Sequence, residues 1–245
     1  MRAPLLAVTL LLIGSNAHAQ QETATRPAVT QAPLIGEDEN NQHRPHAQVE
    51  IGVGALSLPY KQLCLPTQNK CASADYTLLG SLRYILRWDH RFAAGVNVSI
   101  GFRPISDDAS QNSPDGKIER DHSRNYFMLT GVWRYYFVRR QGFEMWAGVA
   151  GGLIVISDQY VLRDPGTAII NPRSTTIATT GPMGAVALGA DWALSPSWTL
   201  GGWTTQMLWF LPSKYACAST YDCASVSGRA YSLELGINLT YRTKI

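Results

Sequence analysis

The sequence predicts an all-β fold, an eight-stranded antiparallel transmembrane β-barrel with long loops at one end and short turns at the other. Three observations carry this. Eight segments alternate apolar with small or polar residues at the period of two that marks a strand with two different faces. Charged residues make up only 16% of the chain, yet mean hydropathy is −0.09 and no helix-length apolar run follows the first twenty residues. The intervals between segments alternate between long and tight.

Residues 1–19 have the three parts of an export signal: Arg2 as a positive start, an apolar run over 4–13, and Ala17-His18-Ala19 as a small-x-small cleavage site. That run is too short to span a bilayer as a helix, which needs about 20 residues, so the mature chain is expected to begin near Gln20. Residues 20–48 are rich in Gln, Asn, Thr, Pro and charge, lack apolar periodicity, and read as a disordered lead-in. Residues 49–245 are left as one barrel domain.

The predicted strands are 49–58, 77–88, 92–103, 125–137, 143–156, 177–194, 198–211 and 231–241. The last is the clearest, with Tyr231, Leu233, Leu235, Ile237, Leu239 and Tyr241 on one face and Ser232, Glu234, Gly236, Asn238 and Thr240 on the other. Residues 92–103 set Ala94, Val96, Val98, Ile100 and Phe102 against Gly95, Asn97, Ser99, Gly101 and Arg103. A soluble sandwich would cover its outer face with Lys and Glu, whereas the second face here is mostly Gly, Ser, Asn and Thr. An inside-out barrel explains both: lipid solvates the apolar face and a narrow lumen holds the small polar one. A soluble lipocalin-like barrel is the competing arrangement.

The intervals 59–76, 104–124, 157–176 and 212–228 are the expected long loops, and 89–91, 138–142 and 195–197 the tight turns. Aromatic residues crowd the turn ends of the strands: Tyr84, Trp88, Phe92, Trp133, Tyr135, Phe137, Phe143, Trp192, Trp198 and Tyr241. They are expected to form one interfacial girdle, with Tyr126, Phe127, Trp209, Phe210 and Tyr231 in the other. A formal charge of +3 without a basic stripe argues against nucleic acid as a partner.

Glu234-x-Gly236-x-x-Leu239-x-Tyr241 resembles the C-terminal polar-x-Gly-x-x-apolar-x-aromatic signal of bacterial outer-membrane barrels. Gly189-Ala190-Asp191-Trp192, with the turn at Leu194-Ser195-Pro196 leading to Trp198, is similar to a hairpin of the small OmpA/OmpX/OmpW-like barrels. The resemblance implies a Gram-negative outer-membrane location among lipid and lipopolysaccharide. It also implies insertion by the outer-membrane assembly machinery, with Glu234, Gly236, Leu239 and Tyr241 as the recognition element. The sequence departs from that pattern in the four residues 242–245 that follow Tyr241.

The lumen-facing sets place Glu50, Glu144, Asp191 and Glu234 among Arg83, Arg87, Arg103 and Arg134. An eight-stranded lumen is filled by side chains, so these charges are expected to pair as an internal polar plug; a narrow path for ions or small solutes is the alternative. Pairing of the first and last strands is expected to set Glu50 and Glu234 on neighbouring strands.

Cys64 and Cys71 fall in the first long loop and Cys217 and Cys223 in the fourth; in an oxidising compartment all four are disulfide candidates, with three connectivities open. A four-thiolate zinc site is the rival reading. Asp107, Asp108, Asp115, Glu119 and Asp121, with Lys117, Arg120 and Arg124, could bridge a divalent cation and lipopolysaccharide phosphates; a solvated loop is the simpler reading, and the spacing fails the EF-hand pattern. His122 and Ser123 are neighbours on opposite strand faces and cannot pair as a nucleophile and base. No enzyme, cofactor or resident metal is expected. The function predicted is a structural or surface-interaction scaffold working through its extracellular loops.

Overall fold

The computed structural model describes residues 45–58, 76–103, 107–113, 116–140, 142–162, 174–218 and 222–244, all within the unit that spans Ile35–Ile245. The strands are β1 (His46–Ser57), β2 (Tyr76–Arg87), β3 (Phe92–Phe102), β4 (Asp107–Ser113), β5 (Gly116–Arg140), β6 (Phe143–Leu162), β7 (Ser174–Ala193), β8 (Trp198–Phe210) and β9 (Arg229–Lys244). Every pairing is antiparallel. The sheet runs β3-β2-β1-β9-β8-β7-β6-β5-β4 and closes through a further pairing of β3 with β5, which makes a ring of eight strands. β4 lies outside that ring and continues the line of β3 along β5, from Asp107 against His122 to Ser113 against Gly116.

The faces are inverted relative to a water-soluble protein. Ile51, Val53, Leu78, Leu82, Val96, Val149, Val186, Leu188, Leu235 and Ile237 point outward, each between 52 and 66% exposed. Glu50, Arg83, Arg87, Arg134, Glu144, Asp191 and Glu234 point inward and are buried. Such a continuous apolar outer surface is stable only against lipid. Trp88, Trp133, Tyr135, Phe137, Trp192, Trp198 and Tyr241 ring the turn end of this belt, where amphipathic rings settle at the headgroups. Tyr126 and Trp209 do not join an upper girdle: both are buried in the lumen, their rings 5.8 Å apart, because they share parity with the lumen-facing Met128 and Met207.

The barrel is lopsided. β5 has 25 residues and β6 and β7 have 20 each, against 12 in β1 and β2 and 13 in β8. β7 pairs with β8 only from Met183 onward, so Ser174–Pro182 stand above the end of β8 with β6 as their ladder. At about 3.3 Å per residue this sector extends about 30 Å beyond its neighbour along the strand. Above Phe127 its outward side chains are mostly polar: Asp121, Ser123 and Asn125 on β5, Ser157 and Gln159 on β6, Ser174 and Thr176 on β7, with Val161 and Ala178 among them. There the wall has left the hydrocarbon.

This corrects the reading of 104–124 as a loop. With water on the outer side both faces of a strand can be polar, and the apolar alternation that marks a membrane strand disappears. The same reason carries β6 on to Leu162 and starts β7 at Ser174. Among the tight connections, Gly142 closes the β5–β6 turn with φ of 76°, a conformation open to glycine.

Leu235 lies on the lipid face of β9, 56% exposed. Leu235→Arg is expected to cost about 2–4 kcal/mol if it lies near the midplane. The variant should show a reduced heat-modifiable band on gels and weakened resistance to extraction; wild-type behaviour in both would reverse the face assignment.

Candidate functional site

At the turn end the lumen holds a connected set of charges and rings. Glu50 on β1 accepts both terminal nitrogens of Arg134 from β5, at 2.5 and 2.8 Å, and Nη1 of Arg83 from β2 at 3.5 Å. Arg83 also reaches Glu234 on β9 at 3.8 Å. Glu50 lies opposite Thr240, and Glu234 opposite Leu56, so the two acids meet through Arg83 and not across the β1–β9 seam. Below them Glu144 on β6 takes Arg87 at 2.9 and 3.0 Å and Arg242 at 2.8 Å.

Each of Arg83, Arg134 and Arg87 also lies over an aromatic face, Trp203, Trp146 and Tyr136 respectively, 3.9 Å from the ring centroid. The two indole nitrogens donate onward, Trp146 to Asp191 and Trp203 to Glu234, both at 3.0 Å. A guanidinium is suited to this because its edge donates to a carboxylate while its face stacks on a ring. Glycines leave room for the indoles: a Cβ on Gly189 would collide with Trp146, and one on Gly236 with Trp203.

Arg103 stands past the end of β3, at the opposite end of that strand from the Arg87 side, because the strand stops at Phe102. Arg242 was absent from the sequence-based set. Its signal was there: β9 continues to Lys244 against His46, and the even-numbered residues of β9 face inward through Arg242. Arg242, Thr243 and Lys244 therefore belong to the strand.

Above the charges the lumen is apolar. Leu56, Leu79, Tyr126, Met128, Ile154, Ile156, Met183, Met207, Trp209, Leu211 and Val226 form one buried cluster. The sequence hid it where both faces are apolar, as in Leu153-Ile154-Val155-Ile156. Between this layer and the charges lies a cavity of about 50 Å³, lined among others by Met128, Met183, Met207, Trp203, Arg83 and Glu234.

The inner face of the tall β5–β7 sector is covered by the connection from β8 to β9. Cys217 and Cys223 are joined in a disulfide, and Ala218 and Ala224 complete a small hairpin with Asp222 and Ala216. Cys64 and Cys71 lie outside the described residues. The far limb of the hairpin drops into the barrel mouth: Asp222, Ala224, Ser225 and Val226 are all buried. Arg120 binds Asp222 at 2.7 Å, and the Tyr160 hydroxyl donates to the Cys223 carbonyl at 2.6 Å. Asp158 accepts the Ser225 amide at 2.9 Å and the Ser225 hydroxyl at 2.5 Å, and also holds His122 at 2.7 Å and Arg124 at 3.1 Å.

Arg120 and Arg124 are thus committed inside the mouth. The side chains of 104–119 lie outside the described residues.

No protein-family model matches the sequence, and no curated protein matches it. Solved structures do. A major outer membrane protein from Thermus thermophilus aligns with a TM-score of 0.54 at 12% identity, over 82% of this chain and all 100% of that one. The fold is that of the small bacterial outer-membrane barrels. Neisserial surface protein A aligns at a TM-score of 0.47 and 10% identity, over 81% of this chain and 97% of that one. The attachment invasion locus protein Ail of Yersinia pestis aligns at 0.44 and 11%, over 82% and 99%.

Two outcomes test the site. Removing the charge of Glu50 leaves the buried Arg134 without a carboxylate and Arg83 with Glu234 alone, so Glu50→Gln should destabilise the barrel by about 3–5 kcal/mol in urea unfolding from lipid vesicles, and more than Glu144→Gln, whose partners lie nearer the rim.

The second concerns Asp158, which sits level with Ser157 above the lipid belt. Burial pushes its carboxyl up, but the hydrogen bond from His122 and the charge of Arg124, with the hydrogen bond from Ser225 adding to them, hold it down at about 2. An acid lowered on folding stabilises above its unfolded value of about 3.9 and loses that contribution as pH falls toward its folded value. The Ser225 amide should stay protected from hydrogen exchange at neutral pH and lose protection as pH drops from about 4 to about 2.

Proposed function

We propose that this barrel is closed to solutes and works through its extracellular end, as a scaffold that holds the tall β4–β7 sector and its covering hairpin out from the outer membrane. The observation that carries the reading is a lumen blocked at three successive levels. Arg87, Glu144 and Arg134 fill the turn end, Trp209 and Met207 with their neighbours fill the middle, and Asp222 to Val226 fill the mouth. Among the described residues, those turned outward at the top are 212–217 of the hairpin and the mostly polar outer faces of β5–β7. Lipopolysaccharide would surround that sector. The assembly machinery would read the last strand through Glu234, Gly236, Leu239 and Tyr241.

A narrow channel is the second reading, and the cavity of about 50 Å³ is the feature that favours it. Buried side chains lie on either side of that cavity, the charged set toward the turn end and the apolar cluster toward the mouth, which supports the closed reading. Catalysis is a poorer fit. Ser225 and His122 both bind the same Asp158 oxygen, so the imidazole is not set to take a proton from the serine, and all three are buried.

Planar-bilayer recordings of the refolded protein test the proposal: no ion conductance is expected at either polarity. Steady single-channel steps would overturn it and establish the channel reading.

A further inference from the structure

Two adjoining turns at the turn end of the barrel carry arginines. Arg91 follows the β2–β3 turn and Arg139 and Arg140 end β5; Arg91 and Arg140 are exposed and Arg139 is half-buried. The two turns adjoin, since the Tyr136 amide donates to the Arg91 carbonyl at 2.8 Å. Among the described acids at this end, Asp89 on the same turn pairs with His90, Glu144 pairs with Arg87 and Arg242, and Asp191 accepts from Trp146. The β7–β8 turn, Leu194 to Ser197, has no charge at all.

Beside these arginines the outward surface is aromatic. Phe92 packs on Tyr135 and Trp133, with centroids 5.3 and 6.3 Å apart, and Phe137, three residues before Arg140, is 47% exposed. Arginines at the ends of two adjoining turns, bordering a lipid-facing aromatic shelf, match a molecule with a phosphate anion at its head and acyl chains below. We infer that Arg91, Arg139 and Arg140 form a binding site for an anionic phospholipid headgroup of the inner leaflet, with the chains lying along Phe92, Tyr135 and Phe137. The site depends on the orientation of the barrel in the membrane and not on whether the lumen conducts.

Native mass spectrometry of the micelle-refolded protein tests this, with phosphatidylglycerol and phosphatidylcholine of equal chain length offered together. The wild type should retain phosphatidylglycerol several-fold more than phosphatidylcholine. The triple variant Arg91→Gln, Arg139→Gln, Arg140→Gln should lose that preference while keeping its heat-modifiable band. The pair Lys214→Gln, Arg229→Gln, at the other end of the barrel, should keep it. Equal retention of both lipids by the wild type, or a preference that survives the triple variant, would overturn the site. So would a preference abolished by millimolar inorganic phosphate, which would assign the arginines to a free anion.

Discussion

A chain that crosses hydrocarbon must pair every backbone N–H and C=O within itself, and a sheet can do so only by closing. The pairings of β1 with β9 and of β3 with β5 remove the last free edges within the lipid, and the remaining features follow from that closure. Eight strands enclose a lumen just wide enough for side chains. Lipid then requires every outward position to be apolar or small. Any charge the sequence contains along these strands has to face the lumen, and a narrow lumen leaves it no water. The ion pairs around Glu50 and Glu144 are the consequence.

Arginine meets that demand better than lysine would. In this lumen each of Arg83, Arg87 and Arg134 holds a carboxylate with its edge and an aromatic ring with its face, so both surfaces of a flat cation are used. The indoles in turn carry the network onward, since Trp146 and Trp203 each donate to a carboxylate. Gly189 and Gly236 matter because a ring lying flat against the wall needs a strand with no side chain beneath it.

The fold was legible because lipid imposes a strict rule on one face of every strand. Tyr231 to Tyr241 obeyed it residue by residue, and so did the outward set on β2. Legibility failed where the rule lapses. Above Phe127 water replaces lipid, so Asp107–Ser113 and Gly116–Arg124 look like loop although they are strand. In the middle of the lumen Ile154, Met183 and Trp209 pack on one another, so alternation fades there too. Pairing was hidden for a further reason. Parity says which residues share the lumen, but only the register shows that Glu50 reaches Glu234 through Arg83, that Arg242 reaches Glu144, or that Asp158 meets a serine 67 positions away.

The unequal strand lengths decide where the two ends of the molecule differ. Once β8 stops at Phe210 while β7 continues upward to Ser174, the inner face of the tall sector has lost the wall that would oppose it. Arg120, Arg124, Asp158 and Ile177 would stand open to water on that face. The connection between β8 and β9 supplies the missing wall, and it does so with groups matched to what lies there: Asp222 for Arg120, Ser225 for Arg124 and Asp158, and Ala224 for Tyr160 and Ile177. A segment fitted in this way on one limb leaves its other limb, 212–217, turned outward, with the Cys217–Cys223 disulfide joining the two. The outermost described part of the hairpin is therefore anchored to the barrel wall itself, which is the property a presenting surface requires.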